Sequence, residues 1–352
     1  MTNGQIQPIS AHIADKKIVQ VAVAVLQYDA GEQKKYLLAT RHAHQHQGGK
    51  LEFVGGKIEA GETARTALIR EVQEEIGLDI TGNVITKMGR IHHDYADKSV
   101  CLHVYLVRLS DGQYDDFCQQ TIGRDGQQLG FYDEDVVLTH AERFPDANRA
   151  ILMWLGVPQV LVISHALAYF QGNNNTQNNK KTDWLDCYKS LPKHSTLLVR
   201  SQSGVSSDDE LMNALKAMRT DLRFVMPYTS QRVRDTAVLA HRLTQDELME
   251  LDLSALPELQ QDIPIIASCH DKPSLQKVNE LACTHPVLAV LLSPVKPTQT
   301  HPDEPALGWQ RFGELAELSD VPVIALGGLS PDDLMDAWAY GAVAVAGIRG
   351  FI

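Results

Sequence analysis

No apolar run in this chain reaches the about 18 residues that a membrane-spanning helix needs, so no membrane partner is expected. The first 17 residues lack the basic-then-apolar order of a secretion signal, and a cytoplasmic address is expected. Cysteine is scarce: Cys101, Cys118, Cys187, Cys269 and Cys283 make an odd count of five, with no C-x-x-C pair. That argues against both a disulfide framework and a thiolate zinc site. A basic block is also missing, and the net charge is −12. Affinity for a phosphate backbone comes mainly from clustered Lys and Arg, so polymeric nucleic acid is excluded as a partner. An acidic protein can still take a phosphorylated small molecule if a divalent cation bridges the two.

What is present suggests about two domains, because 352 residues exceed what one compact core usually holds. With 44% hydrophobic and 22% charged residues, a normal core can be buried. In the first part, 18–27, 36–40, 51–54 and 100–109 read as strands, and 63–76 and 146–155 as helices. This is an α+β pattern with mixed strands around helices. After Gly156, strand-like segments recur at 159–164, 196–200, 223–227, 237–241, 264–268, 287–293, 321–326 and 342–346. Most are separated by stretches of helix length, which predicts an α/β (β/α)₈ barrel whose fourth unit is weak. The boundaries are set at 1–155 and 158–352. Gln171 to Asp183 is polar and low in complexity, and is expected to be a loop inside the second domain.

The chemistry concentrates between Gly55 and Leu78. Glu71, Glu74 and Glu75 stand at i, i+3 and i+4, on one face of the expected helix, with Leu68, Val72 and Ile76 as the adjacent apolar stripe and Gly77 as its cap. Three neighbouring carboxylates repel one another, and a divalent cation removes that penalty. Mg²⁺ prefers a few carboxylates completed by water and substrate phosphates, and Gly55 can offer its carbonyl at close range. Arg70 is spaced to pair with Glu74, and Glu59 is a second candidate across the turn. Taken alone, E-x-x-E-E is usually a solvated helix face.

The full pattern G-x5-E-x7-R-E-V-x-E-E-I-G-L, from Gly56 through Glu62 and Arg70 to Leu78, resembles the Nudix box residue for residue. The resemblance extends to about Leu155 and is strongest to the MutT branch, whose members cleave 8-oxo-dGTP to the monophosphate and pyrophosphate. It implies a small nucleotide substrate, Mg²⁺ (or Mn²⁺) held by Gly55, Glu71, Glu74, Glu75 and Asp125, and catalysis by Glu71, Glu74 and Glu75. It also implies nucleotide contacts at Arg41, His46, Glu52, Phe53, Val54 and Gly55. Leu51 to Lys57 is similar to that branch's LEFPGGK segment, with Val54 replacing a proline, and Asp125 replaces a longer glutamate. Phe144 to Asn148 resembles a segment whose asparagine reads the purine edge, a task suited to an amide with both donor and acceptor. Asn148 could instead cap the last helix, Arg41 could be a surface cation, and His42, His44 and His46 could be a solvated run.

Residues from about 158 onward resemble the thiamine phosphate synthase and TenI family, which implies a TIM barrel and a thiazole or thiamine phosphate as ligand. Ala267 to His270, Leu292 to Thr298, Val323 to Leu329 and Gly341 to Ala346 carry the similarity. Thr298, Gly327 and Gly328 are the implied phosphate site, although both glycines could simply make tight turns. The departures are substantial. The N-D-R segment is absent around Pro227 to Arg232, the magnesium-binding aspartates have no counterpart, and V-H-L-G-Q survives only as His241. In the Q-L-R-x-K pattern Arg200 remains but Gln202 replaces the lysine, and Arg349 replaces a small serine. A degenerate or repurposed barrel is expected, because little is left to stabilise a pyrophosphate leaving group.

Overall fold

A computed structural model describes residues 18–31, 33–44, 47–95, 99–170, 177–229, 235–253, 263–298 and 305–352. The N-terminal unit is a seven-stranded mixed sheet formed by β1 (Ile18–Ala30), β2 (Gln33–Thr40), β3 (Leu51–Glu52), β4 (Val54–Lys57), β5 (Ile85–Asp94), β6 (Ser99–Arg108) and β7 (Leu129–Asp133). The main path runs β3-β2-β1-β6-β5, with β4 on β1 and β7 on β2. The β1–β6 pair is parallel and the other pairs are antiparallel.

Helix α1 (Ala64–Ile76) covers one face of this sheet. Thr63 caps its start by accepting from the Thr66 N–H, and Gly77 ends it in the left-handed region at φ 80°. Leu68, Val72 and Ile76 are buried against Ala22, Ala24 and Val54, as the apolar stripe requires. The remaining helices here are α2 (Asp111–Phe117), α3 (Glu134–Thr139) and α4 (Arg149–Leu155). The last of these follows a 3₁₀ turn, Asp146–Asn148, rather than running as one helix over 146–155. Both α3 and α4 bury Val137, Ile151 and Leu152 on the sheet face opposite α1.

The second unit is a closed barrel of eight parallel strands: β8 (Val160–Ile163), β9 (Thr196–Leu198), β10 (Arg223–Pro227), β11 (Val238–Leu243), β12 (Ile265–Cys269), β13 (Val287–Leu292), β14 (Val323–Leu326) and β15 (Ala344–Gly347). Around it stand α5 (Gln177–Tyr188), α6 (Val205–Met218), α7 (Gln245–Glu250), α8 (Lys272–Ala282), α9 (Gly308–Ala316) and α10 (Leu334–Ala339). Each expected barrel strand appears, because strands covered on both faces read as continuous apolar runs. Among the described residues no helix is long and apolar enough to cross a membrane.

The expected loop over 171–183 needs correction: from Gln177 the chain is helical. Trp184 and Tyr188, four residues apart and fully buried, anchor α5, while Lys181 pairs with Glu210 of α6.

The hydrophobic core on the α4 side of the sheet continues into the barrel without a break. The junction lies at the N-terminal ends of the barrel strands. The Trp154 indole donates to the carbonyl of Val287 (3.1 Å), and Arg90 N donates to that of Asp320 (3.0 Å). The loops that follow the barrel strands are therefore at the far end from the sheet.

Candidate active site

Two adjacent glycines let α1 lie unusually close to β4. A Cβ on Gly55, whose φ is +154°, would fall 2.1 Å from the carbonyl oxygen of Ala22 on β1. At Gly56 a Cβ would fall 2.2 Å from the carboxyl carbon of Glu71. The missing side chains leave room for Glu71 and Glu75, one turn apart, to press their carboxylates onto the strand. Gly55 N–H donates to Glu75 Oε2 at 3.3 Å.

Arg70 ties the cluster together. Its guanidinium donates to Glu62 (2.7 and 2.9 Å), Glu71 (2.9 Å), Glu74 (2.9 Å) and the carbonyl of Lys57 (3.0 Å). The expected pair with Glu74 is present, but the partner across the turn is Glu62, not Glu59. Glu59 instead gives its N–H to Glu62 at 3.0 Å, which turns the Glu62 carboxylate toward Arg70. Arg70, followed by the Glu59 N–H, holds the Glu62 carboxyl down at about 2.

Glu75 is the most perturbed acid of the cluster. Burial comes first, then Glu52, with Glu71 and Asp125 adding repulsion, and together they push its pKa up to about 8 against the pull of the Gly55 N–H. Glu52 is also raised, mainly by burial, and is held back by its ion pair with Arg41. Arg41 is therefore engaged with Glu52 rather than a solvated surface cation.

Asp125 sits on an exposed turn pinned to the end of α1. Arg124 N–H donates to the carbonyl of Glu75 (2.7 Å), Arg124 Nη1 to that of Gln73 (2.9 Å), and Gln127 Nε2 to that of Glu75 (3.3 Å). These bonds satisfy the orphan carbonyls of the last helical turn. Arg124 and Gln127 were not legible as site-shaping residues, because about fifty residues separate them from their partners.

Phe53 and Phe144 stack with centroids 5.7 Å apart, and Lys50 Nζ donates to the carbonyl of Phe144 (3.0 Å). The segment leading to Asn148 thus packs on Phe53, two residues before Gly55. Asn148 is buried and precedes α4, yet its side chain caps no backbone N–H. Val54 is 1% exposed and turns its side chain into the α1 core, so only its backbone is available to a ligand. His46 lies outside the described residues.

In the barrel, Gly327 and Gly328 have φ of +106° and +66°, and a Cβ on either would meet Pro294 or Lys296 at under 3 Å. Val295 N and Lys296 N donate to the carbonyls of Leu326 and Gly327, both at 2.9 Å, so the loop leading to Thr298 is docked directly on the glycines. Close approach of this loop is a sufficient steric reason for both.

A NUDIX domain family model matches residues 19–120. The chain is 32% identical over 136 residues to the 8-oxo-dGTP diphosphatase of Escherichia coli, covering 39% of this chain and 95% of that one. This chain belongs to the Nudix family. It is likewise 35% identical over 138 residues to the 8-oxo-dGTP diphosphatase of Haemophilus influenzae, covering 39% and 91%. A solved MutT structure, from work on Aliivibrio salmonicida and Vibrio cholerae, is 29% identical, covers 39% of this chain and 94% of its own, and gives a TM-score of 0.30. A thiamine monophosphate synthase family model matches residues 242–351. The protein is a Nudix hydrolase joined to a barrel similar to thiamine phosphate synthase.

Proposed function

We propose that the Nudix domain cleaves an oxidised purine nucleoside triphosphate, 8-oxo-dGTP, to the monophosphate and pyrophosphate with Mg²⁺. The observation that carries this is the packing of Phe144, four residues before a buried Asn148 that makes no capping bond, on Phe53, two residues before the Gly55 whose N–H donates to Glu75. The names of the relatives support the same substrate.

The donor set suits a hard cation. All candidate ligands are oxygens, and burial, followed by the neighbouring carboxylates of Glu52, Glu71 and Asp125, raises the pKa of Glu75, a penalty on its charged form that a cation relieves. Among the described residues no three His, Cys, Asp or Glu side chains converge to hold a metal unaided. The Gly55 carbonyl, Glu74, Glu75 and Asp125 would therefore share it with water and substrate phosphates, and Mn²⁺ fits the same donors. When bound, such a cation neutralises the diphosphate and acidifies a coordinated water. Glu71 orients or deprotonates the attacking water, and Arg70 fixes its carboxylate. Asn148 offers the base one donor and one acceptor.

Pyrophosphate release from 8-oxo-dGTP and from dGTP at equal low concentrations tests the substrate. A preference of about tenfold or more, about 1.4 kcal/mol, is expected. Equal rates would sink the oxidised-purine reading and turn the comparison to thiamine diphosphate and its pyrimidine precursor.

One observation in the barrel favours a second function, metabolite sensing. Arg200 and Arg242 flank Pro227: Arg242 pairs with it, and the Leu198–Val225 register brings Arg200 level. Alternate barrel strands contribute side chains to a common interior layer. Both arginines are half-buried, and among the described residues neither guanidinium has a hydrogen bond or salt bridge; the backbone N–H of Arg200 donates to Ser164 Oγ at 2.8 Å. Burial lowers the pKa of each, and for Arg242 the charge of Arg200 lowers it further. The nearby acids, Glu247 and Asp208, are already engaged: Glu247 accepts from the Thr244 N–H at 2.7 Å, and Asp208 from the Ser201 N–H at 2.7 Å. Two unpaired forks match the oxygens of a phosphate dianion. Calorimetry of the full chain with inorganic phosphate in EDTA is expected to show binding that Arg242→Gln weakens about ten- to a hundredfold. Unchanged heat in that variant would remove this role.

A further inference from the structure

The helix that follows Asn148 connects the base-recognition segment to the barrel. At its start, Phe144 stacks on Phe53 and Asn148 lies buried. Near its end Trp154 is 3% exposed, and its indole N–H donates to the carbonyl of Val287, the first residue of β13. A buried indole N–H needs such a partner, because leaving it unmet costs more than the bond itself contributes. With seven residues, α4 is about 10 Å long and has no glycine or proline to bend it.

The surroundings hold Trp154 in one place. A Cβ on Gly89 of β5 would lie 2.4 Å from the Asp320 carbonyl oxygen and 2.9 Å from Cη2 of Trp154. Gly89 thus lets the edge strand, the indole and the barrel meet at one point. Arg90 closes the junction, its backbone N–H and its guanidinium both reaching Asp320, and Lys87 Nζ donates to the carbonyl of Glu317 at 2.5 Å. None of these groups touches the carboxylate cluster.

We infer that Trp154 is a positioning residue for base recognition: the Trp154–Val287 bond makes the barrel the support that fixes α4, and so the placement of Asn148. This rests on reading Asn148 as the base-contacting residue. It gives the barrel a task in the hydrolase that needs no barrel chemistry. A shift of about 1 Å in a substrate-positioning group can change rates by about a hundredfold, so a fixed helix matters to selectivity.

Trp154→Phe keeps an aromatic six-membered ring but removes the N–H donor together with the five-membered ring that carries it. In the full chain it is expected to reduce the 8-oxo-dGTP to dGTP ratio of kcat/KM at least threefold, through KM for the oxidised nucleotide, with kcat nearly unchanged. A merely structural role would lower the melting temperature and the active fraction for both nucleotides alike, leaving the ratio fixed. Asp320→Asn alters the junction from the barrel side and is expected to move the ratio the same way; if Trp154→Phe fails to fold, this variant decides. A wild type with no base preference overturns the substrate reading and this inference with it. A wild type whose preference survives both substitutions overturns this inference alone.

Discussion

Glu75→Gln is expected to lower turnover by at least about a hundredfold while melting no lower than the wild type in EDTA at pH 8. The activity loss follows from position: the carboxylate lies against Gly55, between Glu52, Glu71 and Asp125, and its charge is what a divalent cation would share. The stability half follows from linkage. Burial and those neighbours raise the folded-state pKa of Glu75 from 4.5 to about 8. Between these values the folded protein keeps a proton that the unfolded chain releases, so the penalty on folding grows as pH rises through that window. Glutamine carries no proton to keep and can still accept from the Gly55 N–H. The advantage of the variant in EDTA should therefore be small near pH 5 and largest at pH 8. Mg²⁺ should reverse the order, raising the melting temperature of the wild type alone. Near-normal pyrophosphate release by Glu75→Gln would sink the assignment of the site. A variant that melts well below wild type in EDTA would show that Glu75 supports the fold instead.

What could be read from sequence was local in range. The i, i+4 spacing of Glu71 and Glu75, the Gly77 cap and the Leu68–Val72–Ile76 stripe specify α1 within one segment, and the structure has each of them, with Thr63 as the N-cap rather than the first helical residue. The barrel strands were legible for a related reason: Val287–Leu292 is buried at every position and reads as one apolar run. In β5 that signal fails. Its sequence ITKMGRIHHD mixes polar residues on a strand whose register shifts between Lys87 and Gly89, so the period-2 alternation is broken. β7 was missed because five residues are too few to show a period. In α5 the asparagines and lysines outweigh the buried Trp184 and Tyr188. At the site, Arg124, Gln127 and the Glu62 contact of Arg70 depend on how a turn folds back, which spacing along one helix does not encode. The junction at Trp154 and Asp320 joins residues far apart in the chain, and its sequence trace is one glycine in a strand.

The two glycines before α1 are expected to fail in different ways when given a methyl group. In Gly55→Ala the new Cβ meets a backbone carbonyl, that of Ala22, within the paired register of β1 and β4, and φ of +154° is unfavourable for any L side chain. Neither strand can move without breaking the ladder that holds α1. A loss of about 2–4 kcal/mol is expected, seen as a fall of roughly 5–15 °C in melting temperature and an earlier urea midpoint. In Gly56→Ala the methyl meets only the Glu71 carboxylate, the far end of a flexible side chain. The side chain can swing away at little cost to folding, but it leaves the place where it orients water, and Arg70 follows it through their 2.9 Å hydrogen bond. This variant should melt within a few degrees of wild type and lose about a hundredfold in turnover. Equal melting losses in both variants would mean that Gly56 serves backbone packing as Gly55 does. A Gly56→Ala enzyme with full turnover would show that the position of Glu71 against β4 is not what the chemistry requires.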